Sequence, residues 1–281
     1  MKTIWFITNP NSGTATPEKC DALEGVFRDA GLSLTGRTNF PEDDLPTGAA
    51  LDSDGVDTVV LFAGDGTINA ALSALSEWDG GFLILPGGTM NLLAKELHDS
   101  LDPAEIVKAA HADDRRVAIP FIQAGHHRAY VGMIIGPAAS WFRAREQVRK
   151  KRLAGVWRAA RAAWRRTFGR GVRITGAPGL RDHYQAVLVR PDPRGLDVAA
   201  IDARDWRAIG ELGWNWVSGD WVAARSVEQT HADRLRVAGN RAVLALFDGE
   251  PEQLDPTTEI SGDTSRAVFL TTKSTPSTPD A

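Results

Sequence analysis

The chain has little cysteine and no long apolar run. Its 281 residues include a single cysteine, Cys20, which excludes an internal disulfide framework and fits a reducing compartment. No apolar run approaches the ~20 residues that a membrane-spanning helix needs. The run Ile4 to Thr8 is too short for the core of a signal peptide and predicts a first strand instead. We therefore expect a soluble, cytoplasmic protein.

Acidic and basic residues nearly balance, at a formal net charge of −4, but they are unevenly distributed. The segment Trp141 to Arg173 contains twelve Lys or Arg and one acidic residue, so it carries a charge of +11 and the rest of the chain −15. Over 141–168, Trp157 and Trp164 lie on one face of a predicted helix and arginines on the other. This pattern predicts peripheral contact with an anionic membrane surface. The alternative is a helix that packs its Trp face on the second domain and leaves its Arg face in water.

Two strand–turn–helix units follow each other between Val59 and Leu97. Each begins with a short apolar run, typical of a parallel strand buried on both faces, and continues into a glycine-rich turn, Ala63 to Thr67 or Pro86 to Thr89. Glycines let a backbone approach a ligand closely, and their N–H groups bind anions such as phosphate. Asp65 would repel a bare phosphate but fits one that is accompanied by Mg²⁺. For either turn alone, the alternative is an ordinary connection between a strand and a helix.

The order of the elements predicts two domains. Four strand–helix units in residues 1–120 predict an α/β domain with a parallel, Rossmann-like sheet, which binds ligands at the carboxyl ends of its strands. The turn Asn9 to Gly13 follows the first strand and joins the two other turns at that edge. Short β-like runs in 121–263 predict an antiparallel β-sandwich. We also expect a strand in 264–273 that completes the first sheet, and a disordered tail at 274–281.

Together, the three turns resemble those of the diacylglycerol kinase catalytic-domain family, which includes bacterial lipid kinases and sphingosine kinases. Asn9 to Gly13 (NPNSG) is similar to the first phosphate loop of this family, and Ala63 to Thr67 (AGDGT) to its GGDGT signature. Pro86 to Leu97 (PGGTMNLLAKEL) resembles its P-x-GT-x-N-x-x-A-[RK]-x-L segment, and Asp248 to Glu250 its DGE motif. GDGT alone also occurs in NAD kinases and phosphofructokinases, so the resemblance depends on the combination.

The resemblance implies two domains with a cleft between them. It also implies transfer of the γ-phosphoryl group of ATP, with Mg²⁺, to the hydroxyl of diacylglycerol or a related long-chain lipid alcohol. The nucleotide-binding residues that it implies are Asn9, Ser12, Gly13, Thr38, Gly64, Asp65, Gly66, Thr67, Thr89 and Asn91. Asp65 would orient ATP through Mg²⁺. Glu250 would be the general base for the lipid hydroxyl, and Asp248 would help to position Glu250. Which of Asp65 and Glu250 is the base stays open.

Three residues depart from the family pattern. Ala63 replaces a glycine, Ala70 stands where many relatives carry Glu, and Leu92 where many carry Asp. These departures leave open a non-catalytic nucleotide- or lipid-binding homologue, and a soluble-substrate kinase of the NAD-kinase type is a second alternative. A membrane lipid substrate implies a location at the inner membrane face. No nucleic-acid partner is expected, because no recognised nucleic-acid module surrounds the basic segment. The sequence leaves open whether the protein forms a homodimer and whether its second domain binds a structural metal.

Overall fold

A computed structural model describes residues 1–136, 171–180, 183–201 and 227–274. The basic segment Trp141 to Arg173 lies outside the described residues except for its last three, and so does the chain after residue 274. The chain divides into two compact units: Met1–Ile119 together with the chain from Thr264 onward, and Pro120–Asp263. Each unit is described by itself below.

The first unit is built on a six-stranded sheet. In chain order its elements are β1 (Thr3–Thr8), α1 (Pro17–Asp29), β2 (Ser33–Asn39), α2 (Gly48–Ser53), β3 (Thr58–Ala63), α3 (Asp65–Ala74), β4 (Gly81–Pro86), α4 (Leu92–Leu97), α5 (Pro103–Asp113), β5 (Arg116–Val117) and β17 (Val268–Leu270). The strands lie in the order β2-β1-β3-β4-β17-β5 and run parallel, except for β5, which is antiparallel to β17. The predicted α/β domain with a parallel sheet is confirmed, and β17 inserts into its sheet from the C-terminal part of the chain.

Local sequence explains these elements. β3 and β4 are buried along their whole length, as their apolar sequences predict. α1 and α5 begin at Pro17 and Pro103, where the missing proline N–H has no helical partner to lose. Asp102 caps α5, because its carboxylate accepts the N–H groups of Ala104 (2.9 Å) and Glu105 (3.0 Å). Apolar residues of α1 and α5 share one core with the sheet.

The second unit contains two antiparallel sheets. Its strands are β6 (Pro120–Ala124), β7 (His127–Ala129), β8 (Met133–Ile135), β9 (Arg173–Thr175), β10 (Ala186–Asp192), β11 (Gly195–Ile201), β12 (Val227–Ala232), β13 (Arg234–Ala238), β14 (Val243–Phe247), β15 (Glu250–Leu254) and β16 (Ile260–Thr264). One sheet has the order β12-β11-β10-β8-β14-β15 and the other β7-β6-β16-β13-β9. Buried residues of both sheets form one apolar core, so the predicted antiparallel sandwich is confirmed.

His98 follows α4 and is buried inside the first unit, with 3% of its surface exposed. Its Nε2 lies 3.0 Å from the carbonyl oxygen of Ile84, which can only accept, so Nε2 carries the proton. The other ring nitrogen, Nδ1, then accepts from the Thr272 hydroxyl at 3.0 Å. Burial lowers the pKa of His98 from 6.5 to about 4. The neutral imidazole therefore links β4 to the residues that follow β17.

We expect the burial of His98 to make the protein less stable in mild acid. The pKa of His98 in the folded protein lies below its unfolded value, so between about pH 6.5 and pH 4 the unfolded chain takes up a proton that the folded chain excludes. The free energy of unfolding should fall by about 2 kcal/mol between pH 8 and pH 5 from this residue alone. Urea titrations of the wild type and of His98→Gln, whose amide both donates and accepts, measure the difference.

The control is His183→Gln, which changes an exposed histidine and should keep the wild-type pH dependence. If His98→Gln and the wild type lose the same stability between pH 8 and pH 5, the predicted linkage is wrong.

Candidate phosphate-binding site

The three predicted turns meet at one edge of the first sheet. β1, β3 and β4 are neighbouring parallel strands, so their carboxyl ends lie side by side. The turn after β1 reaches across the end of β3 to the turn after β4. The Gly64 N–H donates to Ser12 Oγ at 3.0 Å, and the Thr14 N–H donates to the Gly87 carbonyl at 3.0 Å. The structure therefore brings NPNSG, AGDGT and PGGT together.

Asn9 connects the first turn to α3. Its Nδ2 donates to Thr67 Oγ1 at 2.8 Å, while its Oδ1 accepts the N–H of Asn11 at 2.9 Å. Thr67 is 7% exposed, and its hydroxyl keeps a hydrogen to donate because it accepts from Asn9. The Ser12 hydroxyl also keeps its hydrogen to donate, since its oxygen accepts the N–H of Gly64. Both hydroxyls thus retain donor capacity at the edge where the turns meet.

Glycine lets the turns after β3 and β4 approach each other. A Cβ atom on Gly88 would lie 2.7 Å from the Cα of Gly64, and one on Gly87 would lie 2.5 Å from the backbone nitrogen of Ala63. Gly13 in the first turn is more open, because its Cβ would meet Thr89 Oγ1 at 3.3 Å. The result is a surface of bare backbone at the end of the sheet, which suits close contact with a phosphate group.

Asp65 is the first residue of α3, and its carboxylate joins the same two turns. Oδ1 accepts the N–H of Leu92 at 2.9 Å, and Oδ2 accepts that of Asn91 at 3.2 Å. Burial raises the pKa of Asp65, and the two backbone N–H groups oppose that rise. The carboxylate therefore has two protein donors in the structure, which the sequence does not indicate.

The other residues that the resemblance implies lie at different depths. Thr38 is within β2, is 2% exposed, and accepts the indole N–H of Trp5 at 3.0 Å. Gly66 is half-buried in the first turn of α3, and Thr89 is exposed beside Gly13. Asn91 has a left-handed backbone, with φ of 52°.

The structure accounts for the first departure from the family pattern. Ala63 ends the fully buried strand β3 and does not have a positive φ, so alanine replaces glycine there without backbone strain. Ala70 is half-buried in α3, and Leu92 is buried at the start of α4.

In the second unit, the DGE motif is a two-residue hairpin turn between β14 and β15. Phe247 pairs with Glu250, and the residues between them, Asp248 and Gly249, have φ values of 48° and 92°. Positive φ at both central positions is typical of a type I′ turn, which matches the twist of a β-hairpin. Glu250 begins β15 and is exposed. The turn conformation therefore explains the Asp248-Gly249 pair, independently of any chemical role of the motif.

Asp248 also anchors the chain between β7 and β8. Its side chain is buried, and it accepts three consecutive backbone N–H groups: those of Tyr130 (2.7 Å), Val131 (2.9 Å) and Gly132 (2.9 Å). In return, the Asp248 N–H donates to the Gly132 carbonyl at 3.0 Å. These bonds fix the turn that carries Glu250.

The donor chemistry of the first unit fits a nucleotide phosphate. The meeting turns offer backbone N–H groups and hydroxyls on glycine surfaces where no Cβ intervenes. Among the residues that the structure describes, no group of three or more His, Cys, Asp or Glu is arranged to hold a metal ion. A Mg²⁺ ion here would depend mainly on oxygens of the phosphates that it accompanies.

A search of the described helices for a membrane-spanning segment finds none with the necessary length and apolar character.

Comparisons with known proteins agree with this arrangement. Residues 3–121 match the diacylglycerol kinase catalytic domain, a domain of lipid kinases. A crystal structure of a diacylglycerol kinase from Bacillus anthracis str. Sterne has a TM-score of 0.66 at 15% identity and covers 96% of this chain and 97% of that chain. Two further solved structures from the same strain have TM-scores of 0.66 and 0.63 at 16% identity, with the same coverage. At this identity the likeness shows the fold; no curated protein matches the chain.

The contact between the two glycine turns gives a test of the site. In Gly88→Ala, the new Cβ would lie 2.7 Å from the Gly64 Cα and would force the turns after β3 and β4 apart. We expect the free energy of unfolding to fall by about 1–3 kcal/mol and ATP binding to weaken. Urea titration and calorimetric titration with ATP measure the two effects.

Gly25→Ala is the control, because a Cβ on Gly25 would meet nothing within 4 Å and Gly25 lies in α1. It should bind ATP as the wild type does. Unchanged ATP affinity in Gly88→Ala would contradict the assignment of this surface to phosphate.

Proposed function

We propose, from the premise that residues 3–121 are a diacylglycerol kinase catalytic domain, that the protein is an ATP- and Mg²⁺-dependent lipid kinase. Its acceptor would be the hydroxyl of diacylglycerol or of a related long-chain lipid alcohol. The observation that carries the proposal is the meeting of three phosphate-type turns at one sheet edge, through Ser12 with Gly64 and Thr14 with Gly87. Support also comes from the DGE hairpin, which holds a carboxylate at a fixed position in the second unit.

The reaction needs positioning and charge neutralisation more than covalent help from the protein. A bond forms between the lipid hydroxyl oxygen and the γ-phosphorus of ATP, the bond from that phosphorus to the β,γ-bridging oxygen breaks, and ADP leaves. When bound, Mg²⁺ neutralises charge on the phosphates. The turns would hold the phosphates through backbone N–H groups and the hydroxyls of Ser12 and Thr67.

The proton of the lipid hydroxyl needs an acceptor, and we assign this role to Glu250. Both carboxylate oxygens of Asp65 already accept backbone N–H groups, so this carboxylate is engaged in holding the turn after β4. Glu250 is exposed at the start of β15, next to a turn that Asp248 anchors by three hydrogen bonds. A carboxylate within hydrogen-bond reach of the hydroxyl would take its proton as the bond to phosphorus forms.

The test is transfer of ³²P from γ-labelled ATP, with Mg²⁺, to dioleoylglycerol, monooleoylglycerol or sphingosine in mixed micelles. NAD serves as the soluble acceptor. Labelled lipid would support the proposal and identify the preferred alcohol. Labelled NADP without labelled lipid would favour a kinase of the NAD-kinase type. ATP binding with no labelled product would indicate a non-catalytic homologue.

Glu250→Gln tests the assignment of the base. We expect kcat to fall about 10²- to 10⁴-fold, because the amide cannot accept the hydroxyl proton, while KM for ATP stays near the wild-type value. Glu252→Gln is the matched control, since Glu252 lies two residues further along β15 and should keep near wild-type activity. A Glu250→Gln enzyme with wild-type kcat would leave the base to another group.

The basic segment Trp141 to Arg173 supports a second part of the proposal, peripheral contact with an anionic membrane that contains the lipid substrate. Its charge of +11 would draw the protein to such a surface, and its Trp residues would enter the interface. We expect the protein to sediment with vesicles that contain phosphatidylserine and to be released by salt. Equal sedimentation with purely zwitterionic vesicles at every salt concentration would contradict this electrostatic mode.

The matched variants for the vesicle experiment change arginine pairs to glutamine. Arg165→Gln with Arg166→Gln lies inside the segment and should weaken sedimentation. Arg234→Gln with Arg236→Gln lies on β13, outside the segment, and should not.

A further inference from the structure

Asp65 holds two turns together with its charge. Its carboxylate, at the start of α3, reaches across to the turn after β4 and binds the N–H groups of Asn91 (3.2 Å) and Leu92 (2.9 Å). These residues lie 26 and 27 positions away along the chain. Two N–H groups at the start of α4 thus find acceptors on α3, because the first N–H groups of an α-helix have no partner within the helix itself.

Asn91 continues the connection back to the glycine contact. Its side-chain Oδ1 accepts the N–H of Gly88 at 2.7 Å, and its backbone adopts a left-handed conformation with φ of 52°. Gly88 in turn faces the Cα of Gly64, the residue before Asp65. Gly64, Asp65, Asn91 and Gly88 therefore form a closed ring of contacts, which we call the clamp.

We infer that Asp65 and Asn91 are positioning residues, whose clamp fixes the backbone N–H groups of the two turns before a nucleotide binds. The inference rests on the proposed function for its ligand, a nucleoside triphosphate. It differs from the role of Asp65 as an orienting group for Mg²⁺, because the clamp acts whether or not a metal is present. Asp65 has to be a carboxylate, since an asparagine would offer one acceptor oxygen to two N–H donors.

The roles of Asp65 predict different effects of Asp65→Asn on ATP affinity. A carboxylate that only repels the phosphates would make metal-free binding tighter when it is neutralised. A carboxylate that only serves Mg²⁺ would change affinity in the presence of Mg²⁺ and not in EDTA. The clamp predicts weaker binding in both conditions, by about tenfold, because hydrogen bonds to a charged group are lost.

The experiment measures ATP binding and backbone exchange on the full chain. Calorimetric titrations with ATP, in EDTA and in Mg²⁺, compare the wild type, Asp65→Asn and the control Asp79→Asn, which neutralises an exposed aspartate of the same unit. Hydrogen exchange, followed by NMR without nucleotide, reports on the amides of Asn91 and Leu92. We expect Asp65→Asn to bind ATP about tenfold more weakly in both buffers and these amides to exchange about tenfold faster.

Asn91→Gly tests the second half of the clamp. Glycine keeps the left-handed backbone and the N–H that Asp65 binds, but it removes the acceptor for Gly88. Metal-free ATP affinity should fall in this variant too, and the double variant should lose less than the sum of the two, because both changes open the same ring.

Two results would overturn the inference: unchanged exchange of the Asn91 and Leu92 amides in Asp65→Asn, or a loss of ATP affinity confined to Mg²⁺. If the wild type does not bind ATP, the proposed function fails, whereas the exchange measurement still decides whether the clamp exists. Folding of each variant is checked by the exchange of β1 amides, since β1 contains no clamp residue, pairs with β2 and β3, and should keep wild-type protection.

Discussion

The site in the first unit depends on one close approach, that of Gly88 to Gly64. Glycine at position 88 allows the turns after β3 and β4 to come this near, since a Cβ at position 88 would lie 2.7 Å from the Cα of Gly64. From that contact follow the short bonds of Asp65 to the start of α4 and of Asn91 to Gly88. A surface of fixed N–H groups binds phosphate more tightly than a flexible one, because the entropy cost of ordering these groups is met during folding rather than on binding.

Aspartates serve the backbone in both units. Asp65 accepts two N–H groups at the phosphate edge, and Asp248 accepts three between β7 and β8. Asp102 and Asp57 do the same at the start of α5 and at the start of β1. A carboxylate can hold several N–H donors at once, and the bonds are stronger because it is charged. An aspartate inside a phosphate motif is therefore not, by its presence alone, a metal ligand or a base.

Sequence reasoning succeeded where the signal is local. Uninterrupted apolar runs predict β3 and β4, and glycines predict the turns that follow them. The parallel sheet and its binding edge were therefore predictable. The sequences of β15 (EPEQL) and β16 (ISGDT) are mostly polar and carry no such signal, so these strands owe their extended form to their neighbours in the sheets. The sequence also did not predict the hydrogen bond between Asp65 and Asn91, because nothing in the AGDGT motif indicates a contact with a residue 26 positions away.

The same long-range contacts bear on the departures from the family pattern. Leu92 stands where many relatives carry an aspartate, but what Asp65 uses at this position is the backbone N–H, which any residue except proline supplies. The leucine side chain is 7% exposed and so contributes apolar burial at the start of α4. Ala63 is tolerated for a related reason, since it ends a strand and its φ is not positive. Neither departure removes a donor or an acceptor from the clamp, so the arrangement of the two turns is independent of both.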